Sequence, residues 1–400
     1  MWNAEYPAKS GPRTEGLPDI PHSALRIPHL IHMRRVLIIS HAYLSAANRG
    51  KLRALASRGV DVTVGVPQRW RDPVLGATTE IAWERQNGVE VFPIPARRHG
   101  EAQLLKFGGR ALHALLRDKR PDLVQVEEES TTPAAQQVVR AARQLGLPAI
   151  LFTRQNVELP LPWLARRRRR RVLRRIKGAI AGSGAAAALL RRVVPDLPVA
   201  AIPQLGIHVP TEPQHILHEG VAIGCVGRLV PEKGVDTLLQ ALAENRGHRW
   251  HLTVVGDGPD RERLERLASD LRLAARIRWA GALPPEDVRK LWPELDVLVL
   301  PARALPTWAE PAAHVVAEAM AYEVAVVGTS AGATPEVIGD AGIVVPPDDP
   351  LALSGALRRL ASPDQRRPLA HAGRARAMQL FSDDAVAERT LGFWREVLGG

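Results

Sequence analysis

The chain has 400 residues, more than one hydrophobic core usually serves, so two domains are expected. Its net charge of +12 is confined to the first half, because residues 1–220 carry 33 basic and 18 acidic residues and residues 221–400 carry 21 and 24. A single cysteine excludes an intrachain disulfide, no metal cluster of Cys and His is expected, and no uncharged run reaches the ~18 apolar residues that span a bilayer.

Residues 1–32 are predicted to form a disordered tail, because they contain five prolines and little hydrophobic periodicity. They lack the unbroken apolar core of a signal peptide, so the expected location is the cytoplasm. Met33 to Ser40 then resembles the start of many doubly wound domains, in which a basic pair is followed directly by a buried strand.

Short apolar strands and amphipathic helices alternate from residue 33 to 208, which predicts an α/β domain with a parallel sheet covered on both faces. The predicted strands are 36–40, 60–66, 89–94, 123–126 and 149–153, and the predicted helices are 48–58, 104–119 and 132–145. Ligands of such sheets bind beyond the carboxyl ends of the strands. The polar residues expected there are His41, Tyr43, 127–130, 154–156 and Ser183. His41 is either a base or a turn histidine.

A run of six arginines lies in a predicted helix that follows Trp163 and Leu164. With Val172, Leu173 and Ile176 these two residues are expected to form a narrow apolar stripe, which would let the helix lie on anionic lipid. The arginines that would contact lipid are Arg166, Arg167, Arg168, Arg169, Arg170 and Arg171. A merely solvated face is the alternative, and nucleic acid is not expected because no aromatic platform accompanies the arginines.

Residues 209–220 contain two prolines and no periodicity, and are predicted to form a linker between the domains. Strands and helices alternate again in the second domain, 221–380. The last segment, 381–400, contains a predicted helix from Ala385 to Leu398 with Phe393 and Trp394.

The second domain begins with a predicted strand and a glycine turn, followed by two cations five residues apart. The segment is Ile223-Gly-Cys-Val-Gly-Arg-Leu-Val-Pro-Glu-Lys-Gly234. A guanidinium and an ammonium beside a glycine-rich turn are suited to clamping a diphosphate. Cys225 is predicted to be a small buried hydrophobic residue.

A second motif spans Pro306 to Ala321 and contains Glu310 and Glu318. A helix is predicted to start at Pro311, where the missing N–H costs nothing, and its first turn favours an anion such as phosphate. Eight residues of helix separate two carboxylates by ~12 Å, so they cannot share one proton. Two separate hydroxyl-binding carboxylates are expected.

These two motifs resemble the C-terminal domain of family-4 retaining glycosyltransferases, and segments 252–259, 277–281, 296–301 and 332–336 continue the resemblance in the family's order. The resemblance implies the GT-B fold, in which two Rossmann-like doubly wound domains face each other across a cleft and a terminal helix crosses back to the first domain. It also implies transfer of a sugar from a nucleotide-diphosphate sugar to a glycan or lipid-linked acceptor, with retention of configuration. The expected setting is polysaccharide or glycolipid synthesis at the inner face of the membrane.

The resemblance further implies the roles of individual residues. Arg228 and Lys233 would hold the diphosphate without a metal or another cofactor, Glu310 would approach the donor sugar, and Glu318 would bind the ribose hydroxyls. The residues expected to act in catalysis are Arg228, Lys233 and Glu310. The residues expected to bind the nucleotide are Gly227, Arg228, Lys233, Gly256, Gly281, Ala313, His314 and Glu318.

The chain departs from the family pattern directly after Glu310. The family commonly has an aromatic residue and a glycine there, whereas this chain has Ala312-Ala313-His314. Close approach of the backbone to a phosphate is easiest with glycine. A donor-binding or partner protein of GT-B shape with little turnover is therefore the alternative hypothesis.

Overall fold

A computed structural model of the chain describes residues 33–71, 76, 78–216 and 218–399, so the tail predicted for residues 1–32 lies outside the described residues. The strands are β1 (Arg35–Ile39), β2 (Asp61–Pro67), β3 (Arg69–Arg71), β4 (Thr78–Glu80), β5 (Glu84–Gln86), β6 (Val89–Ile94), β7 (Ala96–Arg97), β8 (Lys106–Phe107), β9 (Leu123–Val126), β10 (Ala149–Thr153), β11 (Gly178–Ala181), β12 (Val199–Ala201), β13 (Val221–Val226), β14 (Trp250–Val255), β15 (Ile277–Gly281), β16 (Val297–Leu300), β17 (Ala325–Thr329) and β18 (Ile343–Val345). The helices are α1 (Gly50–Ser57), α2 (Gly109–Lys119), α3 (Pro133–Gln144), α4 (Trp163–Leu173), α5 (Gly184–Val193), α6 (Val235–Ala243), α7 (Arg261–Asp270), α8 (Pro285–Leu291), α9 (His314–Ala321), α10 (Thr334–Ile338), α11 (Pro350–Ala361), α12 (Pro363–Leu380) and α13 (Asp383–Gly399).

The first sheet has the strand order β12-β11-β10-β9-β1-β2-β6-β5 and is parallel apart from β5, which pairs antiparallel with β6. The apolar strands are buried between helices on both faces, as the alternation of the sequence predicts. The expectation of a purely parallel sheet is wrong at this one edge. The sequence of β5, Glu-Arg-Gln, has no apolar residue to reveal a strand.

Two predicted helix starts in the first domain are wrong. The helix predicted from residue 48 begins at Gly50, because two short 3₁₀ turns precede it. The helix predicted from residue 104 begins at Gly109, because Lys106 and Phe107 pair with β7 as strand β8. Pairing between segments overrides local helix preference here, since it satisfies backbone groups that a helix would otherwise satisfy.

The arginine-rich helix α4 packs its apolar side into the first domain. Val172, Leu173 and Ile176 lie in the hydrophobic core of that domain, so the prediction that they form a lipid-facing stripe is wrong. Trp163 and Leu164, at the start of the helix, are 68% and 48% exposed. Contact of the remaining arginine face with an anionic membrane stays a prediction.

The second sheet is parallel, with the order β15-β14-β13-β16-β17-β18. Strand order therefore reverses between β13 and β16, and ligands of doubly wound sheets bind at such a switch point. Cys225 lies in β13 and is buried, as predicted, and burial raises the pKa of its thiol to about 12. A thiol with that pKa is protonated and unreactive at neutral pH.

Helix α13 packs against the first domain. Val386, Leu391, Phe393 and Trp394 belong to the hydrophobic core that includes strands β1 and β2. The indole Nε1 of Trp394 donates a hydrogen bond to Oε1 of Gln125, 2.7 Å away. The end of the chain therefore helps to stabilise the domain with which the chain begins. Among the described residues, no helix is both long and apolar enough to cross a membrane.

Glu90 on β6 provides a test of how buried polar contacts stabilise the first domain. Burial alone would raise the pKa of Glu90, but hydrogen bonds from Lys119, Trp83 and Thr63 outweigh it and hold the pKa below its ordinary value of 4.5. A carboxyl group with a lowered folded pKa stabilises the protein above its unfolded pKa and loses that effect as the pH falls through the folded value.

We expect Glu90→Gln to lower the free energy of unfolding at pH 7, and the difference from the parent to shrink as the pH falls below 4.5. Urea unfolding of both proteins at a series of pH values measures this difference in the free energy of unfolding. Asp118→Asn is the control, because Asp118 also faces Lys119, at 3.7 Å, but is exposed. A difference for Glu90→Gln that stays constant down to acid pH would contradict the assignment.

Candidate active site

Lys233 is held at the switch point by a short, tightly packed turn. The 3₁₀ turn Pro231–Lys233 follows β13, and Gly234 adopts the left-handed conformation with φ 63°. A Cβ on Gly234 would lie 2.1 Å from the carbonyl oxygen of Pro301, so only glycine fits there. Arg303, from the loop after β16, donates to the carbonyl oxygen of Pro231 at 2.6 Å and pairs with Asp236 at 2.9 Å.

Lys233 and Glu310 meet across the switch point. Nζ of Lys233 lies 2.5 Å from Oε2 of Glu310, and Glu310 is buried. The ammonium also lies over the ring of Trp308, 5.6 Å from its centroid. The main chain of Glu310 is fixed by Gly332, whose Cβ, if present, would lie 2.2 Å from the carbonyl oxygen of Glu310. The structure thus brings together two residues predicted to act in catalysis, 77 positions apart.

The three predicted glycines lie side by side at the carboxyl ends of β13, β14 and β15. The N–H of Gly227 donates to Val255, and the N–H of Gly256 donates to the carbonyl oxygen of Gly281 at 2.7 Å. A Cβ on Gly256 would lie 1.9 Å from the carbonyl oxygen of Gly227, so the backbones approach closely at this point. The side chain of Arg228 is exposed beside them and pairs with no acidic residue that the structure describes.

Helix α9 begins at His314, so the prediction of a helix start at Pro311 is wrong. Ala313 precedes the helix in the left-handed conformation, with φ 44° and ψ 37°, and is buried. That conformation breaks the helical path and costs an L-residue about 1–2 kcal/mol.

Glu318 lies on α9, one turn beyond His314. Nε2 of His314 is 3.5 Å from Oε1 of Glu318, and both line a cavity of about 80 Å³. Because only 314–321 is helical, the helical spacing assumed between Glu310 and Glu318 does not apply over its first residues. The two carboxylates nevertheless have different partners, as expected for two separate roles.

On the first domain, His41 is oriented by Glu128. Its Nδ1 lies 2.7 Å from Oε1 of Glu128, and its backbone N–H donates to the same oxygen at 3.0 Å. The imidazole stacks on Trp70, with ring centroids 5.1 Å apart. His41 lines a cavity of about 150 Å³ together with Glu129 and Arg154, so part of the polar set predicted at the strand ends meets there, whereas Ser183 lines a different cavity and Tyr43 is buried against Glu127.

Two hydrogen bonds join the domains across the cleft, and neither was predicted from the sequence. Nδ2 of Asn156, after β10, donates to the carbonyl oxygen of Glu310 at 2.8 Å. The N–H of Gly184, at the start of α5, donates to Oε2 of Glu336 at 2.7 Å. Both donors lie just after the carboxyl ends of first-domain strands, and this position could have marked them as candidate site residues. Their acceptors lie more than 150 positions away, so the pairs themselves could not be predicted.

A group of two histidines and one aspartate was also not predicted from the sequence. Nε2 of His215 lies 3.3 Å from Asp296, and Nε2 of His218 lies 3.5 Å from it, a grouping able to ligate a metal ion. However, Arg366 already lies 2.8 Å from the same carboxylate, and Asp296 also accepts from the N–H of Ala222. The guanidinium competes with any cation, so the arrangement is suited to anchoring the linker.

Two family descriptions match the chain one after the other. Residues 44–204 match the glycosyl transferase 4-like domain, and residues 212–376 match glycosyl transferases group 1. The first match contains the predicted strand-end residues of the first domain except those around His41. The second match contains Arg228, Lys233, Glu310 and Glu318.

Curated relatives match over shorter lengths. D-inositol 3-phosphate glycosyltransferase of Acidothermus cellulolyticus is 31% identical over 45% of this chain and 42% of its own length. GDP-mannose-dependent alpha-(1-6)-phosphatidylinositol monomannoside mannosyltransferase of Mycolicibacterium smegmatis is 36% identical over 38% and 41%. Lipopolysaccharide core biosynthesis glycosyltransferase LpsE of Rhizobium meliloti is 30% identical over 42% and 47%. The chain thus matches less than half of each relative's length.

Solved structures match over nearly the whole chain. Sucrose-phosphate synthase from Thermosynechococcus elongatus superposes with a TM-score of 0.72 at 20% identity, covering 91% of this chain and 99% of that structure. HepE of Anabaena in complex with UDP superposes with a TM-score of 0.65 at 16% identity, covering 91% and 100%. At these identities the similarity to solved structures shows that the chain has the GT-B fold. The two family matches show that the chain belongs to the family-4 glycosyltransferases.

Proposed function

We propose that the protein transfers a sugar from a nucleotide-diphosphate sugar to a glycan or lipid-linked acceptor, with retention of anomeric configuration. The meeting of Lys233 and Glu310 at the switch point of the second sheet is the observation that carries this proposal. A cation for the diphosphate and a carboxylate for the sugar stand side by side, next to the closely packed glycine backbones at the strand ends.

Each residue has a defined task in this proposal. Arg228 and Lys233 bind the diphosphate and stabilise the negative charge that develops on it, without a metal ion. Glu310 gives up its ion pair with Lys233 when the donor enters, and turns to the sugar hydroxyls. Glu318 accepts hydrogen bonds from the ribose hydroxyls. The C1–oxygen bond to the diphosphate breaks as the acceptor oxygen bonds to C1 from the same face of the sugar, and the proton of the acceptor hydroxyl passes to the departing diphosphate oxygen.

The acceptor enters from the first domain. The cavity beside His41 lies at the carboxyl ends of β1, β9 and β10. His41 is held by Glu128 and is suited to orienting an acceptor hydroxyl. The relatives include a phosphatidylinositol monomannoside mannosyltransferase and a lipopolysaccharide core biosynthesis glycosyltransferase, which supports a glycolipid or polysaccharide acceptor for this chain.

A thermal-shift screen of nucleotide sugars tests the donor assignment. A ligand that binds only the folded state raises the melting temperature by mass action. We expect one nucleotide sugar to raise it by several degrees in the parent and to have little effect on Arg228→Ala. Transfer to acceptor lipid extracts is then followed with the donor so identified. Equal shifts in both proteins would place the nucleotide elsewhere.

A donor-binding or partner protein with little turnover is the second candidate, and the left-handed Ala313 favours it. If its methyl group obstructs the phosphate, Ala313→Gly will raise kcat/KM tenfold or more. Our proposal predicts a change of less than about threefold, because one methyl is accommodated where the backbone already has the required conformation. Steady-state kinetics of the parent and this variant decide between the two candidates.

A further inference from the structure

A cavity of about 910 Å³ lies on the first domain, away from the residues assigned to the donor. It is larger than the cavities of about 310 and 80 Å³ that contain His314. Its walls come from α3, α4, α5 and the loop of residues 154–162. Nine of the residues that line it are arginines, and Glu158 is the one carboxylate among its lining residues in the described chain.

The positive charge of this cavity is almost uncompensated. Among the described residues, only Arg192 of the nine arginines has an ion pair, with Glu158 at 4.0 Å. The pKa of Arg175 is lowered by burial and by the nearby charges of Arg143 and Arg171. Cations crowded in this way repel one another, and a bound anion would relieve the repulsion.

Arg169 is the member of the group that most requires a partner. Its side chain lines the cavity, and its Nε atom is buried and has no hydrogen-bond partner among the described residues. Burial lowers the pKa of Arg169, and the more distant charges of Glu129 and Glu158 only partly oppose that effect. A buried donor without a partner is rare in folded proteins, so Arg169 is held in an unusually demanding environment at the cavity wall.

The arginine cavity adjoins the cleft through three successive residues. Arg154 lines the cavity beside His41, Gln155 lines the arginine cavity, and Asn156 donates to the carbonyl oxygen of Glu310. Consecutive Cα atoms are only about 3.8 Å apart. A ligand that fills the arginine cavity therefore lies next to the cleft, where the proposed transfer takes place.

We propose that the arginine cavity binds phosphate groups of the acceptor, and so selects acceptors that carry clustered phosphates. This inference rests on the proposed function. One guanidinium group can donate two parallel hydrogen bonds to two oxygens of a phosphate. Several guanidinium groups around one cavity therefore match a polyanion better than a single charge. The phosphates belong either to a soluble phosphorylated glycan or to the headgroup of a lipid-linked acceptor.

Adjacent arginines on α4 provide a matched test. Arg168 is the one arginine of the 166–171 run that does not line the cavity, whereas its neighbour Arg169 does. Each change to Gln removes one charge from the same helix. Binding of inorganic tripolyphosphate is measured by calorimetry at constant ionic strength, in an Arg228→Ala background that disables the donor site. We expect saturable binding that Arg169→Gln weakens about tenfold and Arg168→Gln changes less than twofold.

A second pair of arginine variants, on α3, tests the same proposal without any change to α4. Arg143 lines the cavity and Arg140 does not, and both are exposed. Arg143→Gln is expected to weaken tripolyphosphate binding severalfold, and Arg140→Gln, whose charge acts on Arg175 from outside the cavity, to weaken it clearly less. Equal losses within both pairs, or no saturable binding by the parent, would overturn the proposal. Neither readout requires transfer, so failure of the proposed function would show up separately, in the donor screen.

Vesicle sedimentation distinguishes the sources of the phosphate. Phosphatidylcholine vesicles with and without phosphatidylglycerol are pelleted with the parent, Arg168→Gln and Arg169→Gln. Lipid phosphate bound in the cavity predicts a loss specific to Arg169→Gln. No pelleting, together with tripolyphosphate binding that depends on Arg169, indicates a soluble phosphorylated acceptor. An equal loss in both variants identifies a flat electrostatic surface and overturns the proposal.

Discussion

Lys233→Ala is expected to reduce glycosyl transfer ~100-fold or more, and Arg228→Ala to have a similar effect. A fixed cation that faces a developing anion in the transition state contributes about 3–4 kcal/mol, and both residues stand at the switch point where the donor diphosphate is proposed to bind. Steady-state transfer with the donor identified by thermal shift measures both effects. Activity should persist in the presence of a chelator, because the two cations replace a metal ion in this proposal.

The two variants should differ in stability. Removing Lys233 leaves the buried carboxylate of Glu310 without its cation, so the melting temperature should fall. Arg228 is exposed and pairs with no described acidic residue, so its loss should leave the melting temperature unchanged. Lys290→Ala, an exposed charge on α8, is the control for both measurements. Full transfer activity in either variant would remove that residue from the site.

Lys51→Met is expected to have the largest effect on stability, lowering the free energy of unfolding by about 3–5 kcal/mol. Lys51 and Glu127 are 1% and 2% exposed, and Nζ lies 3.0 Å from Oε1 of Glu127. Without the ammonium, a buried carboxylate keeps only the neutral donors around it, from Tyr43, Gln125 and Gln204. Urea unfolding monitored by fluorescence measures the loss.

The double variant Lys51→Met/Glu127→Gln is the critical control, because it removes both charges together. It should be less destabilised than Lys51→Met alone, since no uncompensated charge remains in the core. Lys177→Met removes an exposed lysine from the same domain and should change stability by no more than about 0.5 kcal/mol. If Lys51→Met were no worse than Lys177→Met, the ion pair would contribute nothing to the folded state.

The elements that the sequence predicted well are those with strong local signals. Strands 89–94, 123–126 and 149–153 have the predicted bounds, because each is a short and mostly apolar run. The start of α9 was wrong because Pro311 is a good first helical residue on local grounds, while the packed backbone around Glu310 and Gly332 forces Ala313 into a left-handed turn. Local preferences could not reveal that contact.

The arginine run shows the same limit at the level of function. The sequence predicted a basic, partly apolar helix, and hydrophobic patterning identified Val172, Leu173 and Ile176 as its apolar side. It could not say whether that side faces lipid or the protein core, because both environments exclude water equally well. The packing of α4 against the first domain decided this in favour of the core. The same packing placed Arg169, but not Arg168, in the cavity.

The sequence by itself determined the α/β fold class and the buried thiol of Cys225, since both depend on local hydrophobic patterns. Only the tertiary structure decided the partners: Lys233 with Glu310, Asn156 with the backbone of Glu310, Lys51 with Glu127, and Trp394 with Gln125. Each pair is separated by 76 or more positions, and the crossing order of the strands brings it together. Strand order is set by the packing of whole elements around a shared core, which no local stretch of sequence encodes.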